Sequence, residues 1–205
     1  MASPDILAYF TEVTLTTAEN LARYAPPAGC YTLFYGLCQP KSRGRLWLTG
    51  AQPPDPLRIE ANSLAHPDDL ETALTGMHLC REIGNAAALR PATKREVMPG
   101  ALNGPALENY LRDAAATFWH QTCTAKMGQD ELSVVDGPLR VYGVTNLRIA
   151  DGSIMPRVTT GNTMTPCVVI GERAGDLLKA THELYSRSAL VKPARGCQDL
   201  FSGLV

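Results

Sequence analysis

Two polar loops hold the residues whose types and spacing could do chemistry. The first is FWHQTCTAKMGQDELSVVDGPL, residues 118–139, in which His120 follows an amphipathic run and precedes small polar residues. The second is RVTTGNTMTPCVVIGERAG, residues 157–175, in which Asn162 follows a glycine. A histidine can exchange protons near neutral pH, and an asparagine can donate a hydrogen bond without titrating. We therefore take these loops as the candidate site.

The second loop also predicts the start of a helix. Thr165 can cap a helix by accepting from a backbone N–H, and Pro166 fits the first helical position because no donor is needed there. The helix is predicted to run from Pro166 to about His182. Its N-terminal N–H groups and dipole favour negative charge beside the GNTM sequence, and Gly161 lets the backbone approach a ligand closely.

Each loop also has a purely structural interpretation. The second could lead into an ordinary capped core helix, which would bury the apolar residues Val168, Val169, Ile170, Ala174, Leu177 and Leu178. His120 taken alone could be structural, because catalytic histidines are the minority. The residues by themselves leave both interpretations open.

Composition and charge narrow the class of protein. The 205 residues are 45% hydrophobic, which is enough for a packed core. Nineteen basic and 20 acidic side chains give a net charge of −1, so we expect no nucleic-acid partner. No apolar run reaches the roughly 18 residues that span a bilayer, and MASPDILAYFTEV lacks the features of a secretory signal. These features predict a cytoplasmic protein with no membrane span.

The cysteines and histidines give no metal or disulfide pattern. The six cysteines are widely spaced and form no CxxC pair, which argues against a zinc site and against a small disulfide framework. The four histidines do not have zinc-ligand spacing. We expect mostly reduced core cysteines and no metal.

Strand patterns dominate the first third of the chain. Residues 9–17 and 30–38 are rich in strand formers, and we expect extended segments joined by loops there. RLWLTG (45–50) and LRIEANSL (57–64) alternate in polarity around the turn sequence AQPPDP, which predicts an antiparallel pair. Two further short strands are predicted at residues 140–144 and 147–153.

Two helices are predicted between these strands. Pro67 and the acidic residues after it favour a helix start, and the apolar face continues to near Gly84. The second helix begins around NGPALEN with Pro105 in its first turn, and its last turn is predicted to carry Trp119 and His120. We expect an α+β fold, mainly antiparallel sheet packed with helices, over residues 1–182. Residues 183–205 show no period and are predicted to be a loosely attached extension.

Several ordered motifs together resemble one known family. The residues His120, Thr124, Met127 and Gly128 in the pattern H-x-x-x-T-x-x-M-G are followed by VVD, LRVYGV, NLRIADGSIMP and GNTMTP. This order resembles the C-terminal signature region of the glucose-methanol-choline (GMC) flavoprotein oxidoreductases, most densely over residues 118–180. PKSRGRLWLTGAQPPDPLRIEANSL and the helix after it resemble the substrate-domain segment of that family in weaker form.

The resemblance implies a role for each matching position. His120 would lie at the reacting end of the flavin, and Asn162 occupies the position of a second histidine or an asparagine, so the two form the catalytic pair. The C-terminal loop and helix return to the FAD domain in the family. The cofactor-binding positions implied are Ala150, Asp151, Gly152, Thr163, Met164 and Pro166.

The activity implied is FAD-dependent oxidation of a CH–OH group in a small alcohol, with hydride transfer to the flavin. A neutral imidazole, with an ordinary pKa of about 6.5, is a suitable base for the hydroxyl proton. His120 would be that base, and the Asn162 carboxamide would donate a hydrogen bond to the oxygen on which negative charge develops.

The chain also departs from the family pattern. Gln121 and Cys123 stand where many members have proline and glycine. No G-x-G-x-x-G motif lies between a strand and a helix, so we expect the FAD-binding half to be a missing N-terminal portion or a separate chain, and FAD affinity to be weak without it. A non-catalytic or truncated partner subunit and an unrelated α+β interaction domain remain alternatives.

Overall fold

The computed structural model describes residues 4–182, which divide into two compact units. The first unit takes in the chain up to Thr122 together with Arg157–Thr163. The second takes in Cys123–Pro156 and the chain from Met164 onward. The predicted extension at 183–205 lies outside the described residues.

The first unit begins with an antiparallel pair of strands. β1 (Ile6–Thr11) pairs with β2 (Thr32–Leu37), with Ile6 opposite Leu37 and Thr11 opposite Thr32. The connection contains a short helix, α1 (Ala18–Tyr24), which the sequence analysis missed. The Thr17 hydroxyl caps this helix by accepting from the N–H of Asn20. The prediction of extended segments was therefore right for the strands and wrong for the connection between them.

The predicted hairpin is confirmed by β3 (Arg45–Leu48) and β4 (Leu57–Glu60), which pair antiparallel. Paired residues share a face of the sheet, so Trp47 lies opposite Arg58, and both Arg58 and Arg45 approach its ring. The other face is apolar and exposed, and it consists of Leu46, Leu48, Leu57 and Ile59.

Two helices form the core of the first unit. α2 (Pro67–Gly84) has the predicted bounds, and α3 (Gly104–Ala114) packs against it. α2 approaches β2 closely at Gly76, because a Cβ there would lie 2.5 Å from the Tyr35 ring. The Tyr35 hydroxyl donates to the carbonyl of Ala73 on α2 at 2.6 Å. The buried cluster comprises Leu64, Ala73, Leu107 and Leu111.

A buried carboxylate ties the chain before β3 to α2. Asp69 is 3% exposed and accepts the backbone N–H groups of Lys41 at 2.8 Å and Ser42 at 2.7 Å, and the Ser42 hydroxyl at 2.5 Å. Burial of the carboxyl by itself raises its pKa, but these hydrogen bonds outweigh it and hold the pKa of Asp69 below its ordinary value.

The second unit is built around α4 (Met164–Thr181), which packs against a short 3₁₀ helix, Gly152–Ile154. Its core comprises Val135, Leu139, Ile154 and Ala174. The strands predicted at 140–144 and 147–153 are wrong, since this stretch forms only isolated bridges, such as Arg140 with Arg148. Left-handed backbone at Gly143 (φ 76°) and Asn146 (φ 60°) turns the chain before a ladder can form.

α4 differs from an ordinary core helix in what it exposes. Ala174 is buried, and Ile170 and Leu177 pack against the core, as the structural interpretation expects. Val168 and Val169 are 56% and 61% exposed, however, and Leu178 is also exposed. The expectation that all six apolar residues are buried is therefore wrong for half of them. Within residues 4–182, none of the helices combines the length and the hydrophobicity that crossing a membrane requires.

Candidate functional site

His120 lies in the loop after α3, not in the last turn of that helix as predicted. α3 ends at Ala114, because Phe118 turns away to pack on the aromatic rings of Tyr9 and Phe34. Trp119 then takes a left-handed conformation (φ 58°), which is uncommon for a bulky residue, and its N–H donates to the Thr117 hydroxyl at 3.0 Å. The Trp119 side chain is 71% exposed, whereas His120 is half-buried.

Thr163 brings the two polar loops together. Its Oγ1 lies 2.9 Å from Nδ1 of His120, although the two residues are 43 positions apart. The Thr163 backbone N–H also points at Nδ1, at a longer N to N distance of 3.5 Å. Thr163 itself is buried and His120 is half-buried, so the contact is partly shielded from water. Both contacts are to Nδ1 of His120, so Nε2 is the ring nitrogen that remains for a substrate.

Asn162 immediately precedes Thr163, and its side chain has a hydrogen-bond partner that the sequence did not predict. The hydroxyl of Tyr9, on β1, donates to Oδ1 of Asn162 at 3.1 Å. Asn162 is exposed, so the NH₂ end of its carboxamide remains available to a ligand. A contact across 153 residues leaves no local pattern in the sequence, and Tyr9 appeared there only as one residue of a strand-like run.

Aromatic rings connect the two candidate catalytic residues to the sheet. Tyr9 stacks on Phe34 of β2 with ring centroids 5.1 Å apart and an interplanar angle of 13°. Phe118 packs on Tyr9 at 5.0 Å and meets the His120 ring edge to face at 5.4 Å. Such ring pairs hold side chains in defined orientations. β1 and β2 therefore support both His120 and Asn162.

The remaining predicted cofactor positions lie in the second unit, except Thr163. Asp151 accepts the N–H of Ser153 at 2.8 Å and so caps the 3₁₀ helix. The side-chain and backbone hydrogen bonds from Ser153 lower the pKa of Asp151. Gly152 begins that 3₁₀ helix, and Ala150 is exposed just before the cap.

The segment after His120 is hydrogen-bonded to the 3₁₀ helix. The N–H groups of Cys123, Ala125 and Met127 donate to the carbonyls of Gly152, Ser153 and Ile154 at 3.4, 3.0 and 2.8 Å. The donors alternate along the first segment while the acceptors are consecutive, and together these bonds attach the segment that follows the candidate histidine to the segment predicted to contact the cofactor. No periodicity in either segment signals this pairing.

Helix α4 begins two residues earlier than predicted, at Met164, so Thr165 is inside the helix rather than its cap. Pro166 is the third helical residue, where its missing N–H removes none of the helix's own bonds. The first turn still carries the free N–H groups of Met164 and Thr165, and the Met164 side chain is 70% exposed. These donors suit a carbonyl edge that gains negative charge, which is the chemistry of a reduced flavin.

A cavity of about 370 Å³ lies elsewhere, beside the start of α2. Its lining includes Lys41, Asp68 and Asp69, which already bind one another or nearby backbone groups. None of the predicted site residues lines it. The contacts around His120 are therefore the better candidate site.

Comparisons with known proteins agree on one family. A family model described as GMC oxidoreductase matches residues 40–171. Oxygen-dependent choline dehydrogenase from Pseudomonas syringae pv. tomato is 38% identical over 168 residues, which is 78% of this chain and 30% of that protein. Alcohol dehydrogenase [acceptor] from Pseudomonas putida is 36% identical over 163 residues, with the same coverage of 78% and 30%. The chain thus spans about 30% of the length of these curated relatives.

Solved structures give the same result for the fold. Pyridoxine 4-oxidase from Mesorbium loti has a TM-score of 0.75 and 27% identity, and the match covers 87% of this chain and 35% of that one. An FAD-dependent oxidoreductase from Chaetomium thermophilum has a TM-score of 0.69 and 31% identity, covering 76% of this chain and 27% of that one. The α+β fold class expected from the sequence is confirmed.

Proposed function

This chain belongs to the GMC oxidoreductase family, and from that membership we propose that it supplies the substrate-side residues for FAD-dependent oxidation of a CH–OH group. The substrate would be a small alcohol and the product its aldehyde or ketone. The rest of the flavin site would come from an FAD-binding half, either in the same polypeptide or in a separate chain.

The observation that carries this proposal is the contact between His120 and Thr163. It joins the two loops that the sequence singled out, with 2.9 Å between Nδ1 and Oγ1. Asn162, the proposed partner of His120, immediately precedes Thr163. The contact therefore holds a proton acceptor beside the residue that follows the amide donor.

We assign His120 the role of general base. When the imidazole proton is on Nδ1, the Thr163 hydroxyl oxygen can accept a hydrogen bond from Nδ1–H. The lone pair of Nε2 is then free to take the proton of the substrate hydroxyl. The longer contact from the Thr163 backbone N–H requires the opposite tautomer and is the weaker of the two. Loss of the hydroxyl proton makes the neighbouring carbon a far better hydride donor.

Asn162 would stabilise the oxygen that loses this proton. Its NH₂ group can donate to the developing alkoxide, and hydrogen bonds of this type contribute about 3 kcal/mol in a transition state. Because a carboxamide does not titrate, the donor would persist over the whole pH range in which His120 is neutral.

FAD is the cofactor, and when bound it accepts the hydride that leaves the substrate carbon. The residues of this chain that would contact its flavin end are Ala150, Asp151, Gly152, Thr163, Met164 and Pro166. The N–H groups at the start of α4 would donate to the pyrimidine edge, where negative charge accumulates. The helix N-terminus would thereby favour the reduced form.

The test is anaerobic bleaching of FAD by a panel of small primary and secondary alcohols, choline included. The chain would be assayed with excess FAD, and again with the FAD-binding half of a GMC relative supplied as a second chain. We expect His120→Gln to slow bleaching by about 10²- to 10⁴-fold, the usual contribution of a general base. His78→Gln, at an exposed histidine on α2, is the matched control and should bleach at the wild-type rate.

Two results would contradict the proposal. Equal bleaching by wild type and His120→Gln would remove His120 from the reaction. Absence of bleaching in both formats, with every alcohol of the panel, would show that this chain does not support oxidation of a CH–OH group.

A further inference from the structure

Tyr9 contacts Asn162, one residue of the proposed catalytic pair, from a part of the chain that precedes the family match at residues 40–171. Its hydroxyl donates to Oδ1 of Asn162 at 3.1 Å. Its ring forms a three-ring cluster with Phe34, on which it stacks at 5.1 Å, and with Phe118, whose centroid is 5.0 Å away. Tyr9 therefore touches Asn162 through its polar end and supports the loop of His120 through its ring.

The hydrogen bond decides which end of the carboxamide faces a ligand. An asparagine side chain has an accepting oxygen at one end and a donating NH₂ group at the other. Since Tyr9 binds the oxygen, the NH₂ group is the end that remains. Only that end stabilises an oxygen on which negative charge develops, and without a fixed partner the carboxamide can rotate and present its oxygen instead.

The environment of Tyr9 keeps its hydroxyl a donor. Burial raises the pKa of Tyr9, and the electrostatic effect of Cys38 raises the pKa further. The phenol therefore stays protonated near neutral pH and can donate to Asn162 there. Stacking on Phe34 fixes the ring, so the hydroxyl is held in one direction.

We propose that Tyr9 is a positioning residue that holds the Asn162 carboxamide with its NH₂ group toward the substrate oxygen. Tyr9 holds the Asn162 carboxamide in this orientation whether or not a substrate is present. The importance of the orientation for catalysis rests on the proposed function. Tyr9 acts through Asn162, and it needs no contact with the substrate.

The test compares Tyr9→Phe with Tyr31→Phe. Tyr9→Phe removes the hydroxyl and keeps the ring that packs on Phe34 and Phe118. Tyr31→Phe is the matched control, because the Tyr31 hydroxyl bonds Thr93 and touches neither proposed catalytic residue. Thermal unfolding of both variants checks that the fold is retained.

The first readout is the side-chain NH₂ signal of Asn162 in ¹H–¹⁵N spectra of the full chain, assigned by its loss in Asn162→Ala. We expect Tyr9→Phe to move this signal toward the position of a freely rotating carboxamide, and Tyr31→Phe to leave it in place. An unmoved signal in Tyr9→Phe would overturn the proposal, whatever the activity.

The second readout is a double-mutant cycle on kcat/KM with the flavin half supplied. Tyr9→Phe should lower kcat/KM about tenfold, as expected for one hydrogen bond, and should have no further effect in Asn162→Ala. Additive effects of the two substitutions would overturn the proposal. If Asn162→Ala alone leaves kcat/KM unchanged, the role of Asn162 in the proposed function is contradicted. The NMR result then still decides whether Tyr9 orients the Asn162 carboxamide.

Discussion

At the scale of single residues, the Thr163 hydroxyl is the group that can hold the His120 proton on Nδ1. Thr163→Val removes this oxygen without changing the size of the side chain, so His120 should lose its preference for that tautomer. We expect kcat/KM to fall about tenfold, whereas Thr163→Ser, which keeps the hydroxyl, should stay near wild type. The tautomer can be checked by ¹⁵N NMR of the imidazole, and equal behaviour of the two variants would contradict this role.

The sequence predicted His120 and Asn162 as candidates because each is a chemically capable side chain in a loop of small polar residues. Thr163 was also predicted, but only as a cofactor contact implied by the resemblance to the GMC family. The hydrogen bond to Nδ1 could not be predicted, because it depends on how the chain folds over 43 intervening residues. Tyr9 was missed altogether for the same reason.

At the scale of elements, Asp69 joins the chain before β3 to the first turn of α2. Asp69→Asn replaces one accepting oxygen with a donor that opposes the N–H groups of Lys41 or Ser42. We expect the free energy of unfolding near neutral pH to fall by about 2 to 3 kcal/mol, since hydrogen bonds to a buried charge are lost. Asp68→Asn, at an exposed carboxylate paired with Lys41, is the control and should change stability little.

The stabilisation of the fold by the Asp69 carboxylate should depend on pH. The pKa of Asp69 is lower in the folded chain than its ordinary value of about 3.9, so its stabilisation is fully present above that value. It is lost as the pH falls through the folded pKa. Urea unfolding at about pH 7 and at acid pH below about 3.9 should therefore show a gap in stability between wild type and Asp69→Asn that narrows as the pH falls. A gap of constant size would contradict the assignment.

The start of α2 depends on local sequence, whereas the end of α3 depends on packing with other elements. The start of α2 was predicted correctly because proline and acidic residues act locally on a helix N-terminus. The end of α3 was not, because Phe118 keeps the helical spacing yet packs on rings from β1 and β2. Periodicity describes which positions are apolar, and it does not reveal which surface they meet.

At the scale of the whole molecule, the proposed cofactor residues account for only one end of FAD. The predicted cofactor residues lie at the 3₁₀ helix and at the start of α4, and the sequence contains no G-x-G-x-x-G motif. We expect the chain alone to elute colourless from gel filtration after incubation with FAD. FAD and riboflavin should bind it with similar, weak affinity in a fluorescence titration, because the adenosine end adds no contact.

Either of two results would contradict this expectation. A retained flavin spectrum would mean that the 205 residues bind the cofactor unaided. A large preference for FAD over riboflavin would mean that this chain also recognises the adenosine end.

The left-handed turn at Trp119 gives the chain an optical probe beside its candidate base. The sequence has two tryptophans, and the other, Trp47, lies between two arginines on the hairpin. In a Trp47→Phe variant, all indole emission would come from the residue before His120. Tryptophan emission overlaps flavin absorption, so a flavin near this loop would quench that light by energy transfer. Cofactor arrival could then be followed in real time, with no substrate and no turnover.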